Sequence, residues 1–110
     1  MTDPQTATIR ILNDAFRSTF VTGTVLVTPG IRDLPEALRP QIMERVQTFS
    51  EFTPDNDPHG EHDFGAFTIE GHKMFWKIDY YAPDMKHGSE DPADPAKTRR
   101  VLTIMLAEEY

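Results

Sequence analysis

The chain has 110 residues, of which eleven are Lys or Arg, eighteen are Asp or Glu and none is Cys. That length fits a single domain, residues 1–110, and excludes kinases, large barrels and doubly wound enzymes. The net charge of −7 argues against direct nucleic-acid binding, where basic side chains on phosphates supply most of the affinity, and the lack of cysteine removes disulfide staples and thiolate nucleophiles or ligands.

Asp3-Pro4 reads as a helix cap and first helical residue. Ile9, Leu12, Phe16 and Phe20 then recur at spacings of three and four. A helix is predicted over about 4–19, with Arg10, Asn13, Asp14 and Arg17 outside its apolar stripe and Gly23 as the breaker. Residues 24–28 are β-branched and short, a strand that Pro29-Gly30 closes as a turn. Asp33-Leu34-Pro35-Glu36 has the capping-box pattern. Leu38, Ile42, Val46 and Phe49 form the next stripe, and Pro40 within it predicts a short first turn followed by a main helix over 40–50.

Residues 53–63 have no period and are rich in turn formers, so they form a loop. Residues 64–69 and 72–81 read as a β-hairpin across Glu70-Gly71. That register pairs Ile69 with His72, Phe67 with Met74 and Gly65 with Trp76, the indole lying over the bare glycine backbone. Met74, Trp76, Ile78 and Tyr80 then share the core face, and Phe75, Lys77, Asp79 and Tyr81 share the other. Residues 82–97 are irregular. Residues 99–107 fit a strand or a helix, and their short, partly β-branched character favours a buried strand. The order α-β-α-β-β-β argues for an α+β domain: two helices on one face of a mainly antiparallel sheet of about four strands.

The first residues lack the basic and apolar stretches of a secretory signal. The longest apolar run, 101–107, falls far short of the ~20 residues that span a bilayer. A cytoplasmic protein with no membrane contact is expected.

The charge is unevenly placed. Residues 47–96 carry three basic and eleven acidic side chains, a net of −8, while 1–46 are neutral. The densest polar stretch runs from Asp55 to Asp63, with His59, Glu61 and His62 inside it. Three readings apply: a rigid loop whose Asp and Asn side chains bond nearby backbone amides, a partner-binding loop, or a divalent metal site for zinc or manganese at His59, His62 and Asp63. His59 and His62 stand three apart, not four on a helix as in metalloproteases, and Pro58 and Gly60 oppose a helix there. No Ser sits in a nucleophile frame and there is no glycine-rich phosphate loop. The leading expectation is therefore a non-enzymatic interaction module. Its partner-binding residues would be Asp55, Asp57, Glu61 and Asp63 on the loop and Phe75, Lys77, Asp79 and Tyr81 on the outer hairpin face, engaging a basic protein surface. The alternative is a small metal-dependent hydrolase in the 55–63 loop.

Several segments together resemble a known family. They are Ile11-Leu12-Asn13-Asp14 with Phe16-Arg17, the run from Asn56 to Gly65, the run from Phe75 to Tyr81, the run from Gly88 to Pro95, and the run from Arg100 to Tyr110. They look like the bacterial family of short proteins catalogued as domain of unknown function 3768, marked by an Asn-Asp-Pro motif. The family brings no catalytic residues. The resemblance implies a stand-alone cytoplasmic protein of bacterial plasmids and other mobile DNA. That context suggests an inhibitor of a host defence nuclease, of anti-CRISPR or anti-restriction type, and hence a nucleic-acid-handling complex as partner.

Overall fold

A computed structural model describes residues 3–110. Helix α1 spans Pro4–Thr19 and starts on proline, whose missing N–H costs nothing in the first turn. It ends at Phe20, a left-handed residue (φ 61°) whose N–H returns to the Phe16 carbonyl, so Gly23 is not the breaker. Gly23 instead lets the Phe16 ring and the Arg100 carbonyl pass close by, each 2.7 Å from where a Cβ would stand. The buried stripe of α1 is Ile9, Asn13, Phe16 and Arg17. Two polar side chains that the hydropathy pattern puts outside the stripe therefore belong to it.

Strand β1 spans Thr24–Val27. Where a turn is expected, Thr28 begins a one-turn helix, α2, Pro29–Arg32, which buries Ile31 completely. Asp33 ends α2, so no capping box forms there. A 3-10 turn, Glu36–Leu38, leads into α3, Arg39–Gln47, with Pro40 in its first turn and Ile42 and Val46 buried.

Strands β2 (Phe64–Ile69) and β3 (His72–Tyr81) form the expected hairpin in the expected register. Glu70 and Gly71 both have positive φ, as a primed two-residue turn requires. Residues Arg99–Leu106 form strand β4, followed by a 3-10 turn, Ala107–Glu109.

The fold is α+β with one four-stranded sheet, in the order β1-β4-β3-β2. The β2–β3 and β3–β4 pairs are antiparallel, but β1 runs parallel to β4, so the sheet is mixed and three helices, not two, accompany it. One face carries the core: Phe67, Met74, Trp76, Ile78, Leu102 and Ile104 meet Phe16 of α1, Ile31 of α2 and Ile42 and Val46 of α3. The C-terminal turn is clasped to α2. The Glu109 carboxylate accepts from Thr28 Oγ1 (2.6 Å), Leu106 N–H (2.8 Å) and Gly30 N–H (3.0 Å), and the Thr28 bond is the main reason its carboxyl sits below the ordinary range. Among the described residues no helix is long and apolar enough to cross a membrane.

Trp76 is fully buried and its indole covers Gly65. A Cβ at Gly65 would lie 2.6 Å from Trp76 Cε2 and 2.8 Å from Cζ2, inside van der Waals contact. Gly65→Ala is therefore expected to cost about 1–3 kcal/mol through overpacking. Urea unfolding followed by the fluorescence of the single tryptophan measures it.

Candidate functional site

The loop between α3 and β2 is built by its own short polar side chains. Asn56 Oδ1 accepts from the Thr53 N–H (2.8 Å), Asn56 Nδ2 donates to the Glu51 carbonyl (2.9 Å) and Asp57 Oδ1 accepts from the His62 N–H (3.2 Å). Gly60 takes φ +70° and His62 φ +55°. This is the rigid loop of side chain-to-backbone turns that its composition predicts.

Helix α1 holds that loop along one side. Arg10 Nη1 donates to the Gly60 carbonyl (3.2 Å), Asn13 Nδ2 to the Glu61 carbonyl (3.0 Å), and the Asp14 carboxylate meets His62 Nδ1 (2.9 Å). Asn13 is 0% exposed and sits at a crossing of four segments. Its Oδ1 accepts from Arg100 Nε on β4 (2.7 Å), and its Nδ2 also donates to Tyr80 Oη on β3 (2.8 Å). The Tyr80 hydroxyl in turn donates to Glu61 Oε1 (2.8 Å). Arg100 Nη2 reaches the Pro92 carbonyl (2.6 Å), which brings the 82–97 segment into the same network.

One turn further along α1, the Arg17 guanidinium enters the interior. It donates to the Val46 and Phe49 carbonyls (2.9 Å each), closing the C-terminal end of α3, and to Asp14 Oδ1 (3.1 Å). A cation is favoured at a helix C-terminus, where carbonyls are unpaired. Arg17 also lies over the Trp76 ring (5.0 Å) and the Phe52 ring (5.4 Å), and His62 stacks on Phe52 at 3.7 Å with the rings nearly parallel.

Each residue singled out from the sequence can now be placed. Asp55 is exposed and His59 borders a groove of about 470 Å³ between the loop and the start of α1. Asp57 is held inside, its side chain 6% exposed and 3.6 Å from His62 Nε2. Glu61 is engaged with Tyr80, and Asp63 is half-buried with its carbonyl accepting from the Ile78 N–H (2.8 Å). Asp57 and Glu61 are thus internal partners rather than free surface charges. Among the described residues no group of three or more His, Asp or Glu side chains is arranged to hold a metal. His62 is instead flanked by Asp14 and Asp57. Phe75, Lys77, Asp79 and Tyr81 lie half-exposed on the outer sheet face, with Lys77 and Asp79 paired at 3.1 Å.

Residues 27–109 match the family described as Protein of unknown function (DUF3768). The chain belongs to that family. No curated protein and no solved structure matches it. The DUF3768 match spans the loop and strands β2 to β4, and so contains Glu61, His62, Tyr80 and Arg100.

The residues that hydropathy reasoning passes over in this DUF3768 protein are Asn13, Asp14, Arg17, Phe52 and Arg100, while Tyr80 lies on the core face as expected. One sequence signal does point to two of them. Asn13 and Arg17 stand four apart and fall in register with Ile9 and Phe16, so polar groups occupy buried helical positions and need internal partners.

Burial governs the electrostatics here. It lowers the Arg17 and Arg100 pKa values from the ordinary guanidinium range and pushes the Tyr80 hydroxyl strongly up. Burial also pushes the Asp63 carboxyl up, and the Glu61 carboxylate adds to the effect. The folded state therefore binds this proton more tightly than the unfolded chain. The stability it confers is complete below the ordinary carboxyl value of 3.8 and is lost as pH rises through the folded pKa. Asp63→Asn is expected to melt at a higher temperature than the parent at pH 7, with the difference closing as pH falls below about 4. Paired thermal melts across that range check it.

Proposed function

We propose that this DUF3768 protein is a non-enzymatic interaction module that engages a basic protein surface through one acidic end of its sheet. The supporting observation is where the −8 segment folds. The 51–63 and 82–97 stretches both close on the Tyr80–Tyr81 end of β3: Glu61 through the Tyr80 hydroxyl, Ser89 through the Tyr80 carbonyl (3.0 Å). Helix α1 ties to both, by Arg10 to Gly60 and by Gln5 to Asp91 (3.0 Å). Exposed Glu51 and Asp55 on one stretch and Asp84 and Glu90 on the other then belong to one end of the molecule.

Such an end attracts a basic partner by long-range field and selects against acidic ones. Surfaces that handle nucleic acid are basic for the same reason. This supports a nucleic-acid-handling complex as the partner. In the context of bacterial mobile DNA, that partner is a host defence nuclease in the cytoplasm and the module is its inhibitor. The hydrolase alternative has less support, since no group of three His, Asp or Glu side chains among the described residues is arranged to hold a metal.

Affinity capture from the bacterial host, at rising salt, tests the proposal. Parent protein is expected to retain a basic protein at low salt and to release it as salt rises. A Glu51→Lys, Asp55→Lys, Glu90→Lys variant with the parent's melting temperature is expected to lose it. Equal retention by parent and variant contradicts the proposal.

A further inference from the structure

A cavity of about 500 Å³ opens where the 82–97 segment meets α1 and β4. Leu12 and Ala15 of α1, Thr22, Pro95, Arg99 and Arg100 line it, and none of its lining residues is acidic. Its size falls within the roughly 300–1,000 Å³ of small-molecule sites. Leu12 belongs to the apolar stripe read from the sequence, yet the buried face of α1 is Ile9, Asn13, Phe16 and Arg17. Leu12 is half-buried and borders the cavity instead.

We propose that this cavity binds a small organic monocarboxylate with an apolar tail. Arg100 carries the argument. It is 6% exposed, and a cation buried to that degree is ordinarily paired with an anion. Arg17, buried to a similar degree, has Asp14 at 3.1 Å. Arg100 has no such partner among the described residues. Its Nε donates to the Asn13 amide oxygen and its Nη2 to the Pro92 carbonyl, and the Glu61 carboxylate is reached only through Asn13 and Tyr80. Nη1 makes no hydrogen bond among the described residues. Unlike Arg17 Nε and Trp76 Nε1, it is not sealed from solvent. A guanidinium presents its N–H donors in a planar fork that matches a carboxylate. A carboxylate on Nη1 therefore completes the hydrogen bonding of a buried cation and supplies its missing counter-charge. The tail covers Leu12, Ala15 and Pro95, which line the same cavity. Each half of the ligand thus meets a group that the fold leaves without a partner. A phosphate dianion fits less well, since it brings two charges and no apolar body to one buried cation and apolar walls.

Titration with octanoate, followed by the amide and arginine side-chain resonances in nitrogen-15 NMR spectra, decides the matter. Octanoate is expected to saturate with a Kd below about 1 mM and to shift the resonances of Leu12, Ala15 and the Arg100 guanidinium. Acetate lacks the tail and 1-octanol lacks the charge, so each is expected to bind about tenfold more weakly or worse. Inorganic phosphate is expected to do the same. Arg100→Gln is expected to abolish binding. Because Arg100 also holds Asn13, Ala15→Phe serves as the second variant. Ala15 is exposed on α1, so a phenyl group there fills the cavity and leaves the core untouched. That variant is expected to keep the parent's melting temperature and to bind octanoate about tenfold more weakly or worse. A parent that shows no saturation by about 5 mM octanoate, or shifts confined to other parts of the molecule, overturns the proposal. So does acetate, 1-octanol or phosphate binding as tightly as octanoate, or a folded Ala15→Phe that binds like the parent.

Discussion

The buried amide of Asn13 is the constraint on which the arrangement of the polar side depends. Arg100 Nε can only donate, so Asn13 must turn its oxygen toward β4. Its two amide hydrogens are then committed to the Tyr80 hydroxyl and the Glu61 carbonyl. The tyrosine, having accepted from Asn13, directs its own proton to the Glu61 carboxylate. The result is a directed chain from a cation on β4 to an anion on the loop, passing through α1 and β3. Each member polarises the next in a medium of low dielectric. An unpaired buried polar group costs about 1–3 kcal/mol, so removing any member leaves its neighbours exposed to that penalty.

A second anchor runs parallel to the first. Arg17 closes the C-terminal end of α3, holds Asp14 and lies against Phe52, and Asp14 and Phe52 in turn fix His62. The loop is therefore pinned at Gly60, Glu61 and His62 by three residues of one helical face, Arg10, Asn13 and Asp14. Its exposed carboxylates ride on a fixed frame. Ordering a loop on binding costs affinity, and a loop already ordered avoids that cost. Burial of polar groups inside thus connects to the acidic end outside.

Much of this was legible in the sequence where local chemistry decides the outcome. The hairpin register followed from a two-residue turn ending in glycine and from strict alternation, and the contact of Trp76 with Gly65 followed from that register. The bounds of α1 followed from Asp3-Pro4 and the apolar spacing. Where distant segments decide, the sequence was silent. The parallel pairing of β1 with β4 joins residues 77 positions apart, with no local signal. Ile31 lies in a four-residue helix too short to show a period. Asn13 and Arg17 looked like surface residues because hydropathy assigns polar groups to water, whereas here they meet partners about thirty to ninety positions away. Asp57 and Glu61 looked like surface charge for the same reason.

Native-state amide exchange at His62 tests the linkage of loop to core most directly. Among the described residues its N–H is bonded only to the Asp57 side chain of the same loop, so its protection depends on how firmly the loop is held. If the network anchors the loop, this amide exchanges only by global unfolding, with a protection factor within about tenfold of that at Met74 in the core of β3. Exchange at His62 several orders of magnitude faster than at Met74, through a local opening that leaves the sheet intact, would contradict that anchoring.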